Sequence, residues 1–391
     1  MVININGKTS SFLIVVLFMS MLSNGIYYDV GFSVTLAYFV LPIVIFFIFL
    51  NGMRLSKFLF LSFVFVFFVY FCFFLSSFYS YNFDSSFRFF FGALAFLFFF
   101  FSFSSYLVSA NKDIYLLLGV SLKVYLVLTL LYYLAGLMVF SPLQEHQYFY
   151  GLFVEKSLPR LVGLTIDPNF ASLTFIVCFY YFHFSKVSYR KVFSILSIIL
   201  LLATLSRSGL LSLFLSFFFV SFFVIKPIQV FRIFLSFILF SMFVYVSLEL
   251  FFAVDVSNLI EKRVEGASSG AGRFELIANA YTLFLEKPIL GHGIFNFRDL
   301  NMQYFSSHKY AHNTYMELLV EVGVVGLAFF LSLLLFMTIM AFKLRKVYPF
   351  LIFSVVSLGL MAGTLSLYIN SIFLFFLVVT FSLYIRGRNE C

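Results

Sequence analysis

The 391 residues are 63% hydrophobic and only 10% charged, against about 25% charged in soluble domains, so a water-soluble fold is excluded and the solvent is lipid. A net charge of +9 does not signal nucleic acid, because the basic residues stand in short clusters between apolar runs, as membrane orientation requires. Cys72 and Cys178 lie inside apolar runs and Cys391 is terminal, which leaves no disulfide framework and no metal-ligand spacing.

Unbroken apolar runs of about twenty residues predict membrane-spanning helices. A transmembrane barrel would instead need short alternating segments. Twelve spans are expected, roughly at 10–26, 31–50, 57–77, 87–108, 114–138, 169–185, 190–206, 208–225, 230–252, 314–342, 348–366 and 370–386. The first follows Lys8 and lacks a small-residue cleavage site, so it reads as a retained helix. Alternate connections carry Arg54/Lys57, Lys112, Lys186/Arg190/Lys191, Lys226/Arg232, Lys343/Arg345/Lys346 and Arg386/Arg388, and the short opposite ones, near 27–30, 78–86, 207 and 367–369, hold almost no cation apart from Arg88 and Arg207. The positive-inside rule then places both termini in the cytoplasm. Only Lys123 falls mid-span.

Two segments on the outer side, 141–167 and 253–313, are too long and polar for simple turns and have the size of functional loops. In the second, Phe274, Ile277, Ala278, Tyr281 and Leu285 recur at helical spacing between Gly272 and Lys287-Pro288. This predicts an amphipathic helix on the membrane surface or over a cavity. The expected fold class is all-α: a polytopic transmembrane helix bundle of about twelve spans, one integral membrane domain over 1–391, with short amphipathic helices in the large periplasmic loop. The 65 phenylalanines and the absence of tryptophan read as a bias of the coding DNA.

The acidic residues and four of the five histidines, His146, His292, His308 and His312, gather on the outer side in this topology. Arg207, in "ATLSRSGLLS", stands between apolar runs where arginine is disfavoured. A snorkelling side chain would account for it, but a cation there makes more sense if it meets an anion, and guanidinium binds phosphate through a two-bond fork. Arg273 follows "ASSGAG" at the start of the loop helix. Glycines, free N–H groups and the positive dipole end form an anion site there, although a solvated charge would serve equally. Arg160 is a third outer arginine, and Asp167-Pro168 just after it reads as N-cap and N1 of the next span.

His312 precedes a helix start, "AHNTYMELLVEVGVVGL". Thr314 and Glu317 have the spacing of a capping box, with Asn313 as the alternative cap. An exposed structural histidine is the plain reading of His312; a neutral imidazole there can also deprotonate a sugar hydroxyl. Glu317 and Glu321, one turn apart inside a span, are costly enough to suggest a role. Gly323 and Gly326 read as close-packing positions, and His292 in "LGHGIFNF" as structural. No Walker lysine motif, Asp-x-Asp pair, Gly-x-Ser-x-Gly elbow or zinc pattern is present, so ATP-driven or nucleotide-sugar chemistry is disfavoured.

Four stretches between Pro159 and Gly326, "PRLVGLTIDPNFAS", "SRSGLLSL", "GRFELIANAYTLFLEKPILGHGIFNF" and "HNTYMELLVEVGVVGL", together resemble the O-antigen ligase/polymerase superfamily of bacterial envelope glycosyltransferases. The first five spans match it only in hydropathy. The resemblance implies a metal- and cofactor-independent enzyme of the inner membrane. Its partner substrate would be a glycan on undecaprenyl diphosphate, handled at the periplasmic face, with membrane lipids around it and a chain-length regulator as a further candidate partner. It implies that Arg207 and Arg273 hold the diphosphate and His312 engages the acceptor hydroxyl, with Arg160, Asn313 and Glu317 as candidate substrate-binding residues. One departure is Ile277, where the family pattern around the loop arginine has leucine. An O-antigen polymerase is preferred on the AT-rich character of the gene, with O-antigen ligase as the alternative. A lipid-linked oligosaccharide flippase is disfavoured because transporters place polar groups near the midplane.

Overall fold

The computed structural model describes residues 7–29, 33–51, 56–110, 113–141, 146–155, 158–224 and 272–387, and the single positions 228, 231 and 235. The helices are α1 (Gly7–Leu22), α2 (Leu36–Asn51), α3 (Lys57–Leu75), α4 (Phe83–Ser109), α5 (Ile114–Met138), α6 (Pro168–Phe184), α7 (Arg190–Ala203), α8 (Arg207–Val224), α9 (Arg273–Glu286), α10 (Phe297–Phe305), α11 (Thr314–Lys343), α12 (Pro349–Ala362) and α13 (Ser371–Gly387). Among the described residues, five stretches are long and apolar enough to cross a membrane: Lys57–Tyr79, Phe83–Ser109, Ile114–Met138, Arg207–Val224 and Thr314–Lys343. Shorter apolar helices surround them. Each expected span has a helix except 230–252, which apart from positions 231 and 235 lies outside the described residues, as do loop residues 253–271.

Side-chain caps set several helix starts. Ser56, Asn82 and Asp113 accept the N–H groups of Leu59, Ser85 and Leu116 at 3.1, 3.3 and 3.1 Å, satisfying donors that an initial turn leaves open. Inside the bundle, Ser62, Ser121, Ser197 and Ser216 return their hydroxyls to carbonyls one turn earlier, so these polar groups cost little in lipid. α6 and α13 are buried along almost their whole length. α3 turns Phe60, Leu61, Phe67 and Phe68 outward, the apolar exterior that lipid covers.

Basic residues collect at one end. Arg386 donates to the Leu107 carbonyl at 2.9 Å and Arg190 to that of Ser185 at 2.9 Å. Lys123 corrects the sequence reading. Its amine reaches the Ser188 carbonyl at 3.0 Å and lies 5.4 Å over the Phe193 ring, so its aliphatic stem carries the charge out to the α6–α7 turn.

The connections of the other end interlock. Gly25 N–H donates to the Leu164 carbonyl at 2.9 Å, Tyr81 N–H to that of His292 at 3.0 Å, and Thr314 N–H to that of Leu365 at 3.0 Å. Segment 141–167 is not merely a loop. It holds a three-stranded antiparallel sheet, β3 (Tyr148–Phe149), β4 (Leu152–Glu155) and β5 (Leu158–Leu161), registering Leu152 with Leu161 and Phe153 with Arg160. Leu152 and Val154 are buried, the period-two pattern of a half-covered strand. A shorter hairpin pairs β1 (Tyr27–Asp29) with β2 (Ser33–Thr35).

Candidate functional site

The first component is the mouth of α6. Asp167 caps it, its carboxylate accepting the Asn169 N–H at 2.7 Å, with Pro168 in the first turn. Asn169, nearly buried, accepts the hydroxyls of Ser206 at 2.7 Å and Ser208 at 3.3 Å. Those serines flank Arg207, the exposed first residue of α8. Close approach is required here: a Cβ on Gly209 would lie 2.4 Å from the Ser172 hydroxyl. Arg160 is engaged from β5, ion-paired with Glu155 and donating Nε–H to the Thr204 carbonyl at 3.0 Å. It stitches the sheet to the turn that carries Arg207.

The second component joins α9 to the peptide before α11. Arg273 is the first residue of α9, after Gly272 at φ 76°. His312 is exposed and takes the left-handed φ of 50°, a conformation that costs a non-glycine residue of order 1 kcal/mol and concentrates at functional sites. Surrounding protein removes water from its ring and lowers its pKa below the ordinary histidine value, and the guanidinium of Arg273 lowers it further. Asp167 opposes this and Lys309 adds to it. Arg273 and Asp167, far from it in sequence, are thus both within electrostatic reach of His312. The imidazole is neutral at neutral pH.

The third component is the start of α11, where two expectations change. Asn313 is the cap, accepting from the N–H groups of Tyr315 and Met316 at 3.1 and 3.2 Å. The expected capping box is absent: Thr314 donates its hydroxyl to the Leu365 carbonyl at 2.5 Å, and buried Glu317 accepts that of Ser366 at 2.7 Å. Glu321, equally buried, accepts Phe297 N–H at 3.1 Å and Tyr368 O–H at 3.0 Å. Gly323 is not simply a packing position. At φ 66° and ψ −168° it interrupts α11, and segment 288–293 fills the break. The freed carbonyls of Val320 and Glu321 accept from His292 and Gly293 at 2.9 and 2.8 Å, while Val324 and Val325 donate to Pro288 and Ile289 at 2.9 and 3.3 Å. His292 itself is buried, its Nε2–H donating to the Leu283 carbonyl at 2.8 Å.

Next to this cluster is a cavity of about 610 Å³. Ile166 and Tyr310 line it, and their chain neighbours Asp167 and His312 belong to the cluster. It also receives Arg88 and Arg298, the latter 5.3 Å over the Tyr310 ring. Sequence reading passed over Arg298 and Tyr310. A cation and an aromatic twelve residues apart in a polar loop give no periodic signal.

Residues 192–331, a little over a third of the chain, match the family model described as O-Antigen ligase. This region belongs to the O-antigen ligase/polymerase superfamily. The matched stretch holds Arg207, Arg273, His312, Asn313 and Glu317. Arg160 and "PRLVGLTIDPNFAS" lie before it. No curated protein matches the chain. The match over residues 192–331, with several long apolar helices among the described residues, points to a multi-pass membrane protein, and the matched family implies a glycosyltransferase-like enzyme.

Proposed function

We propose that the chain is an O-antigen polymerase, moving a growing glycan from undecaprenyl diphosphate onto the terminal sugar of a lipid-linked repeat at the periplasmic face. One observation carries the reading: Arg273 and Asp167 both act electrostatically on His312, at the same end of the bundle as the turn bearing Arg207. In the reaction the acceptor hydroxyl oxygen bonds to the donor's anomeric carbon as the bond from that carbon to the diphosphate oxygen breaks. His312 takes the hydroxyl proton, and undecaprenyl diphosphate leaves with its negative charge met by Arg207 and Arg273. Preorganised cations aimed at developing charge supply such stabilisation without reorganisation, and a neutral imidazole suits the base. Asn313 fixes the helix mouth, and Glu317 holds Ser366 against it.

A second reading, O-antigen ligase, in which lipid A–core is the acceptor, is favoured by the description of the matched family. Deletion separates them. Loss of a polymerase leaves lipopolysaccharide carrying a single repeat; loss of a ligase leaves none, and that result would replace the first reading with the second.

A further inference from the structure

The cavity of about 610 Å³ has the size of a small-molecule site and an unusual polar inventory. Arg88 of α4 and Arg298 of α10 both line it, with no carboxylate among its described lining residues. Asn24 and Ser371 line it too. The Asn24 amide is oriented by its neighbours: Asn370 Oδ1 accepts Ile372 N–H at 2.9 Å, so the Asn24 Nδ2 group donates to that same oxygen at 3.3 Å. Asn24 Oδ1 is left directed elsewhere, buried and without a hydrogen-bond partner among the described residues, as is the Ser371 hydroxyl. Asn24 is only 4% exposed, and leaving a buried acceptor unmet is costly.

These groups state what would satisfy them. The guanidiniums need an anion, the polar side chains of Asn24 and Ser371 line the cavity beside them, and Tyr38 and Tyr310 add an aromatic border. An anionic sugar headgroup suits this lining. Resting on the polymerase reading, which requires two lipid-linked substrates at once, we infer that this cavity holds the glycosyl diphosphate head of the acceptor lipid. Arg207 and Arg273 then serve the donor. The shared border, Ile166–Asp167 and Tyr310–His312, presents the acceptor sugar to the imidazole.

The test uses the full chain in lipid nanodiscs and radiolabelled N-acetylglucosaminyl diphosphate farnesol as the probe. The wild type binds two equivalents per chain. Arg88→Gln with Arg298→Gln removes one equivalent, and Arg207→Gln with Arg273→Gln removes the other. Unlabelled farnesyl diphosphate displaces the probe from both. A single equivalent in the wild type, two equivalents retained by the Arg88/Arg298 variant, or displacement from the cavity by glucuronate but not by farnesyl diphosphate would each overturn the inference. Since Arg298 also packs on Tyr310, the variant's melting temperature is measured alongside. If it is not folded, Asn24→Leu must weaken the second equivalent at least tenfold, and unchanged binding overturns the assignment. Failure of the polymerase reading looks different: two equivalents bound, with no polymer made by the wild type.

Discussion

At the scale of single residues, the protonation of His312 sets the pH behaviour. Only the neutral ring accepts a proton. Because neighbouring protein takes part of the water from its ring, and Arg273 acts on it, the pKa is held below the usual histidine value, and the neutral form persists into mild acid. Activity is lost only as pH falls through that lowered value. Arg273→Gln removes a lowering influence, so the acidic loss moves to higher pH, and the rate falls about 100-fold with a charge stabiliser gone. Glycosidic-bond formation measured against pH reads both effects; an unmoved acidic limb would separate Arg273 from His312. His312→Ala abolishes long-chain product, a loss of about 10²–10⁴. Its exposed side chain carries little stability, so the melting free energy stays within about 0.5 kcal/mol.

Among the elements, α11 shows how a helix can be interrupted on purpose. A Cβ at Gly323 would lie 2.2 Å from the Ile289 carbonyl oxygen, at a φ of 66°. Gly323→Ala therefore destabilises by more than about 1 kcal/mol, read as a fall in melting temperature; an unchanged value would mean the break is not held as described. Local sequence told much about these elements and misassigned some details. Asp167-Pro168 announced α6, and Gly272 with Lys287-Pro288 bracketed α9. The stripe Phe274, Ile277, Ala278, Tyr281 and Leu285 signalled the α9 helix but not its buried side. Phe274, Tyr281 and Leu285 face outward, and Leu276, Asn279, Ala280 and Leu283 pack inward, because the Asn279 amide reaches Asn301 at 3.0 Å. Thr314 and Glu317 had capping-box spacing, yet partners near Leu365, some fifty residues away, claimed both. Spacing reports period; distant partners decide which face wins.

For the molecule as a whole, the division into a basic end and a polar, interlocked end was legible from charge placement alone, since each apolar run carries its loops to one side or the other. The cavity was not legible, because its wall joins one face of α4 to one or two residues each from α10, α13, α2 and the segment after α1. Orientation is checked by cysteine labelling with both Cys72 and Cys391 replaced by serine. Tyr304→Cys, exposed on α10, reacts with a membrane-impermeant maleimide on intact cells. Lys346→Cys reacts only after the cells are opened, and the reverse pattern would invert the proposed orientation.

The interruption at Gly323 has a mechanical corollary. Residues 314–322 are bolted to segments 288–293 and 365–368, and Val324 and Val325 hold Pro288 and Ile289 across the break; only beyond them does α11 run on as a shaft to Lys343 without bonds to that segment. When acyl chains shorten or lengthen, a shaft answers by leaning, at fractions of a kcal/mol per Å, and the joint at Gly323 absorbs the lean. Turnover in vesicles of different lipid thickness should accordingly stay nearly level, and Gly323→Ala should make it steeply thickness-dependent.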